Sequence, residues 1–187
     1  LDSARAEYWA TFADALSDAG NPSAAGSAFQ EAAQRQPWNP LYWRSVAVTY
    51  LARGDQPGGV MFLHRAIAAD PYDIASHDLL AHIDLSSGNW QRALDEGSLA
   101  VRIYPTDPLL YDAPVQAAIQ LRQWSRAEAL LKDGIARADS GHLHFLLALT
   151  YERSGHRDAA LVEIDRAFAL TPNDPDVVKL RQQLASP

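Results

Sequence analysis

The sequence predicts an all-α fold, an α-solenoid of antiparallel helix pairs stacked in chain order, and three regularities predict it. A pattern of small and apolar residues returns about every 34 residues, a proline follows most copies at one fixed distance, and a glycine precedes most copies at another. The pattern reads small-x-x-x-apolar-x-x-Ala. Its successive copies are Ala25-Phe29-Ala32, Gly59-Leu63-Ala66, Ala93-Gly97-Ala100, Ala127-Leu131-Gly134 and Ala160-Ile164-Ala167, with first members 34, 34, 34 and 33 residues apart. Self-similarity at such a period marks an array in which each unit buries its oily face against its neighbours.

Each recurring residue has a mechanical reason. Small residues let two helices approach closely, and the larger apolar residue between them fills the gap. Gly20, Gly54, Gly88 and Gly155 lie five residues upstream of their copies, where glycine supplies the left-handed conformation that ends a first helix. Pro37, Pro71, Pro105 and Pro172 lie five residues downstream and end the second helix, because the residue before proline avoids helical dihedrals. Between these stops, Trp9-Phe12-Ala13-Leu16 and Trp43-Val46-Ala47-Tyr50 show the i, i+3, i+4, i+7 stripe of an amphipathic helix.

The order aromatic-x-x-apolar-small-x-x-aromatic, then Gly, then Ala-x-x-x-aromatic-x-x-Ala, then Pro resembles the tetratricopeptide repeat. The best copies run from Trp43 to Pro71 and from His144 to Pro172, and the resemblance covers roughly residues 6 to 172. It implies a right-handed superhelix with inner A helices and outer B helices, in one domain spanning 1–187. The repeats are expected at 6–39, 40–73, 74–107, 108–140 and 141–174. Asp174-Pro175 opens a capping helix over about 175–185, with Asp at the cap and Pro at the first helical position.

Two repeats depart from the pattern. In the fourth, Pro114 lies well inside helix A and is expected to kink or shorten it, at roughly 3 kcal/mol. Arg122 replaces the turn glycine, Gly134 the final alanine and Asp139 the proline, and one residue is missing. Drift in a tolerant array and a bend that opens the groove or marks a partner contact are both open. In the third repeat Asp84 stands where an aromatic packs, Gly97 where a bulky residue sits and His77 at the aromatic start of the helix; Trp90 is expected to refill the space. Trp9, Trp43, Trp90 and Trp124 fall at packed aromatic positions and are expected in the core. Trp38, in the connection between repeats, is left open.

Composition excludes several functions. Cysteine is absent, which removes disulfides and thiolate metal sites and leaves the redox compartment open. A formal charge of -7 argues against binding nucleic acid, whose phosphates need Lys and Arg, and against anionic membrane surfaces. No apolar run approaches the roughly 20 residues of a membrane span. The chain begins at Leu1 and shows no leader, so it is read as a processed chain or an excised domain, and abundant Ala and Arg suggest a bacterial source.

Catalytic constellations are missing too. Gly58-Gly59 has no following Lys-Ser/Thr, so no phosphate-binding loop is expected. His142 and His144 are two apart on a helix and point to different faces, as do His77 and His82 at five apart, so neither pair shares a metal. Ser86-Ser87-Gly88 sits at a repeat turn without the paired His and carboxylate that a nucleophilic serine needs, and Asp78 and His82, at i and i+4, can meet but read as a surface contact. No cofactor, metal or catalytic residue is assigned.

In the tetratricopeptide family the A helices line a concave groove. By register the groove positions here carry Ala10 and Asp14, Arg44 and Val48, Asp78 and His82, Asp112 and Gln116, then Phe145 and Leu149. That gives a partly acidic floor and an apolar end, with Arg44 able to pair with Asp78. The family's carboxylate clamp is not matched, since Ala10, Asp14, Ser45, Ala75 and Leu79 occupy its positions. The expected function is a protein-interaction scaffold whose partner is a neutral or basic segment with an apolar anchor. Two alternatives stand beside it. One is the soluble part of a larger bacterial protein, since Leu41-Tyr42-Trp43 and Asp70-Pro71-Tyr72-Asp73 are similar to repeats of O-antigen ligase/polymerase-type proteins and of those preceding glycosyltransferase domains. The other is a self-association module forming a homo-oligomer. The compartment stays open.

Overall fold

The computed structural model describes residues 2–185, all of whose regular elements are helical. The chain forms two compact units that divide between His77 and Asp78, inside the fifth helix.

The first unit contains α1 (Asp2–Asp18), α2 (Pro22–Arg35), α3 (Pro40–Ala52), α4 (Gln56–Ala69) and the start of α5 (Ile74–Ser86). Local chemistry starts α2, α3 and α4. The side chains of Asn21, Asn39 and Asp55 accept hydrogen bonds from the Ala24, Leu41 and Gly58 amides, and a proline occupies the first or second position of each of these helices. α1 packs on α2, α2 on α3 and α3 on α4. Ala25, Ala32, Val46, Ala47, Leu63 and Ala66 are fully buried between them.

The second unit contains the rest of α5, α6 (Trp90–Ile103), a 3-10 turn (Pro108–Tyr111), α7 (Asp112–Gln120), α8 (Trp124–Arg137), α9 (Gly141–Arg153), α10 (Arg157–Leu170) and α11 (Pro175–Ala185). Consecutive helices from α6 onward pack against one another. The small and apolar residues of the recurrent pattern are all buried: Ala93, Gly97 and Ala100 on α6, Ala127, Leu131 and Gly134 on α8, and Ala160, Ile164 and Ala167 on α10. In α11, Val177, Leu180 and Leu184 close the last hairpin by covering Ala160, Ile164 and Ala167.

All five A-to-B turns close with the same backbone hydrogen bond, from the residue after the turn position to a carbonyl five residues earlier. The pairs are Asn21–Leu16, Asp55–Tyr50, Asn89–Asp84, Gln123–Ala118 and His156–Tyr151. Four turn positions are glycines with φ between 72° and 83°. The fifth is Arg122, held at φ 56°. A side chain there costs about 1–2 kcal/mol relative to ordinary helical dihedrals, so the packing around the α7–α8 turn imposes the geometry against local preference.

Pro114 shortens its helix as expected, but without the cost of an interior proline. The A helix of that repeat is divided into the 3-10 turn and the nine-residue α7, in which Pro114 is the third residue. In a first turn, most of the penalty for a missing N–H does not arise. Its ring also accounts for Gly97. A Cβ built on Gly97 would lie 2.6 Å from Pro114 Cδ, so the proline fills the space left by the small residue. Trp90, expected to fill it, is instead 39% exposed.

Ring-bearing residues at the start of three A helices share one further role. Trp43 Nε1 donates to the Pro37 carbonyl at 2.9 Å and Tyr111 Oη to the Pro105 carbonyl at 2.9 Å, while His77 Nε2 lies 3.1 Å from the Pro71 carbonyl. Each ties the proline that ends one repeat to the helix that begins the next. Where Asp139 replaces the proline, His144 Nε2 meets the Asp139 carboxylate at 2.8 Å and Nδ1 meets Glu163 at 2.6 Å. His144 is buried, so these contacts satisfy both ring nitrogens inside the packing.

Candidate functional site

The expected groove residues fall in both units. In the first, Asp14 is exposed on α1 and Arg44 is half-buried on α3. Arg44 pairs inside the first unit. Its Nη1 donates to Asp73, whose second oxygen accepts from Ser76 Oγ. Asp73 sits at the entry of α5, a position that register along the A helices does not reveal. Val48 is half-exposed on the same helix.

In the second unit α5, α7 and α9 carry two carboxylate–imidazole pairs. His82 Nδ1 lies 3.0 Å from the Asp78 carbonyl and 3.4 Å from Asp78 Oδ1, an oxygen that is buried and has no hydrogen bond among the described residues. Asp112, in the first turn of α7, meets His142 Nε2 at 3.1 Å. The partly acidic floor expected from Asp78 and Asp112 is therefore matched by an imidazole at each carboxylate, and the charge basis for preferring a basic partner is weakened. His142 is the residue that register reasoning left out, because it lies one turn toward the start of α9 from Phe145 and Leu149.

Both imidazoles are held toward their charged form. The His82 imidazole is pushed up to about 9, chiefly by the Asp78 carboxylate beside it, against burial and with help from the Asp78 carbonyl and the Asp112 charge. Asp112 likewise raises His142, with a smaller contribution from Asp174. A raised histidine stabilises the fold fully below the unfolded value near 6.5, and that contribution fades as pH climbs through about 9. Because the two side chains are 46% and 31% exposed, solvent limits it to about 1 kcal/mol or less. A proton-NMR titration is expected to place the His82 midpoint well above that of an ordinary histidine, and Asp78→Asn to lower it by about one unit or more. A midpoint near 6.5 in the unsubstituted protein would remove the pair from the account.

An open cleft of about 840 Å³ lies between α7 and α9, the helices that carry Asp112 and His142. Gln116, Ile119 and Gln120 of α7 form one wall, Leu149, Arg153 and Ser154 the other, and Arg122 and Trp124 close the end at the α7–α8 turn. Of the expected groove residues, Gln116 and Leu149 line this cleft. Arg122, Trp124 and Arg153 join them without having been anticipated. Phe145 does not line it; Phe145 and Leu149 are both half-buried and pack against the cluster of Ile164, Ala167, Val177 and Leu180, and Leu149 also faces the cleft. Of the tryptophans expected in the core, Trp43 is buried, Trp9 and Trp124 are half-buried and Trp90 is exposed; Trp38 is 66% exposed.

Among the described residues no group of three or more His, Cys, Asp or Glu is arranged to hold a metal, and no helix is long and apolar enough to cross a membrane.

Comparison with known proteins agrees with this architecture. Residues 11–74 match the tetratricopeptide repeat family. Over 119 residues the chain is 30% identical to cellulose synthase operon protein C of Komagataeibacter xylinus; the match takes in 63% of this chain but spans only 9% of that protein. Among solved structures it is similar to a thermophilic TPR protein of Thermus thermophilus, with a TM-score of 0.61 and 22% identity over 96% of this chain and 97% of the other. It is also similar to YrrB, described as a TPR protein with an unusual peptide-binding site, with a TM-score of 0.73 and 14% identity over 93% and 90% of the two chains. At these identities the solved structures speak to the fold alone.

Proposed function

We propose that this chain, which carries tetratricopeptide repeats in an all-helical α-solenoid fold, holds a peptide or protein segment on the inward side of its A helices. The observation that carries this reading is the cleft between α7 and α9. Gln116 and Leu149, set facing one another by helix register, line an open space of about 840 Å³ that no described residue fills. The shape suits an extended segment, since two helix walls leave a trough open at its top. The pairs Asp78–His82 and Asp112–His142 offer polar contacts of either sign to the same segment.

Amide NMR spectra of the protein, recorded with capped peptide libraries about twelve residues long, test the reading; a segment of that length more than spans one helix pair. Shifts are expected at His82, Asp112, Gln116 and Leu149, with the outer faces of α8 and α10 unmoved. Shifts confined to the outer faces, or no binding by any library, would remove it.

A second reading places these repeats as one segment of a longer bacterial protein. It is favoured by the 30% identity to a protein of which the match spans 9%. Sequencing the parent gene on both sides of the segment tests it, and an open reading frame confined to these residues would sink it.

A further inference from the structure

The charges lining the α7–α9 cleft are all positive. The full chain has 23 Asp and Glu against 16 Lys and Arg, yet Arg122 and Arg153 reach this cleft and no carboxylate does. Around them stand donors that the fold leaves unused. Gln116 and Gln120 are four apart on α7, so their amides project side by side, and neither bonds to any described residue. Leu149 and Arg153 make the matching pair on α9. Trp124, half-buried at the cleft's end, adds an aromatic ring and an indole N–H.

Arg122 is the telling residue. Every other A-to-B turn uses glycine for its left-handed position, and this one keeps an arginine at φ 56°. The guanidinium is exposed, and no carboxylate among the described residues pairs with it. Arg153 pairs only with its neighbour in sequence, Glu152, at 3.2 Å on the surface, among the described residues. A backbone strain that a glycine would relieve is thus tied to a cation at the mouth of the cleft. Strain of this kind is retained where the side chain has a role that offsets it.

We infer that the cleft between α7 and α9 binds an acidic segment of a protein partner, one or more Asp or Glu carboxylates seated between Arg122 and Arg153 with an adjacent apolar residue against Leu149 and Trp124. This rests on the reading of the chain as a binding module and gives that module its charge preference. The fork of an arginine matches a carboxylate in two parallel hydrogen bonds, and the Gln116 and Gln120 amides can donate to the remaining lone pairs or to the segment's backbone. The preference is the reverse of the one the A-helix carboxylates suggested from sequence.

The probes are capped peptide libraries of equal Leu and Phe content, one rich in Glu, one rich in Lys and one uncharged, titrated by fluorescence anisotropy. The Glu-rich library is expected to bind at least about tenfold tighter than the other two, with an affinity that falls as salt is added. Arg153→Gln and Arg122→Gly should each weaken it about tenfold. Arg122→Gly should at the same time raise the thermal midpoint by about 2–4 °C, because the strain is relieved. Weaker binding by a more stable protein separates a contact role from a folding role. Equal affinity for the Glu-rich and uncharged libraries, or arginine variants that bind unchanged, would overturn the inference and leave the peptide-holding reading standing. Failure of every library to bind would overturn both.

Discussion

Replacing Gly97 with leucine is expected to destabilise the protein by about 3 kcal/mol, the upper part of the range for overpacking a core. The other copies of the repeat place Phe29, Leu63, Leu131 and Ile164 at this position, so the substitution restores what the pattern prescribes. It fails because the neighbouring helix has changed. A Cβ on Gly97 would lie 2.6, 3.0 and 3.1 Å from the Cδ, Cγ and Cβ of Pro114, and a pyrrolidine ring has no rotamer by which to yield. Removing the glycine returns about 1 kcal/mol of helix propensity, which is too little to offset the clash. Pro114→Ala alone should cost about 1 kcal/mol by opening a small cavity. Combined with Gly97→Leu it should recover part of the loss, giving a coupling of about 1–2 kcal/mol in a double-mutant cycle measured by urea unfolding. Effects that add within about 0.5 kcal/mol would mean that the two positions do not compete for one space.

That pair explains what the sequence reveals and what it hides. The helical hairpins are legible because their punctuation is local: Gly20, Gly54, Gly88 and Gly155 end first helices, and the periodic prolines end second ones, whatever surrounds them. Gly97 and Pro114 each read as a defect when taken singly. They stand on different helices, well separated in sequence, and only their contact shows that one compensates the other. Trp90 looks like a better filler because it is nearer in sequence, but it sits at the first position of α6, where its ring turns outward.

The candidate site divides the same way. Gln116 and Leu149 follow from register, since residues at matching turns of neighbouring A helices face the same trough. Arg122 and Arg153 do not, because one belongs to a turn where the pattern expects glycine and the other lies at the helix end, where a long side chain reaches back into the cleft. Arg44 and Asp73 defeat register for a related reason, as Asp73 lies in the connection that precedes α5. Asp78 and His82 follow from i, i+4 spacing on one helix, whereas Asp112 and His142 lie on α7 and α9 and only their contact pairs them.

Truncating Tyr111 to alanine is expected to cost about 4 kcal/mol, the largest single loss among these substitutions. Tyr111 is fully buried, its hydroxyl donates to the Pro105 carbonyl at 2.9 Å, and its ring lies where the final alanine of the repeat would otherwise stand: a Cβ on Gly134 would be 2.6 Å from Tyr111 Cε1. Tyr111→Phe isolates the hydroxyl and should lose only about 1 kcal/mol, the worth of one neutral hydrogen bond. Gly134→Ala carries the sharper test, because its sign depends on the ring. In the unsubstituted protein the added methyl meets the edge of a fully buried ring, so stability should fall by about 1–3 kcal/mol. With Tyr111→Ala in place the same methyl enters vacated space and adds helix propensity, so stability should rise by about 1 kcal/mol. Two glycines that break the pattern, Gly97 on α6 and Gly134 on α8, would then have one physical cause, a bulky residue of the shortened A helix pressing on the outer helix to either side of it. If Gly134→Ala shifts the urea midpoint equally in both backgrounds, the ring does not fill that space, and the account of the irregular repeat as a repacked one fails with it.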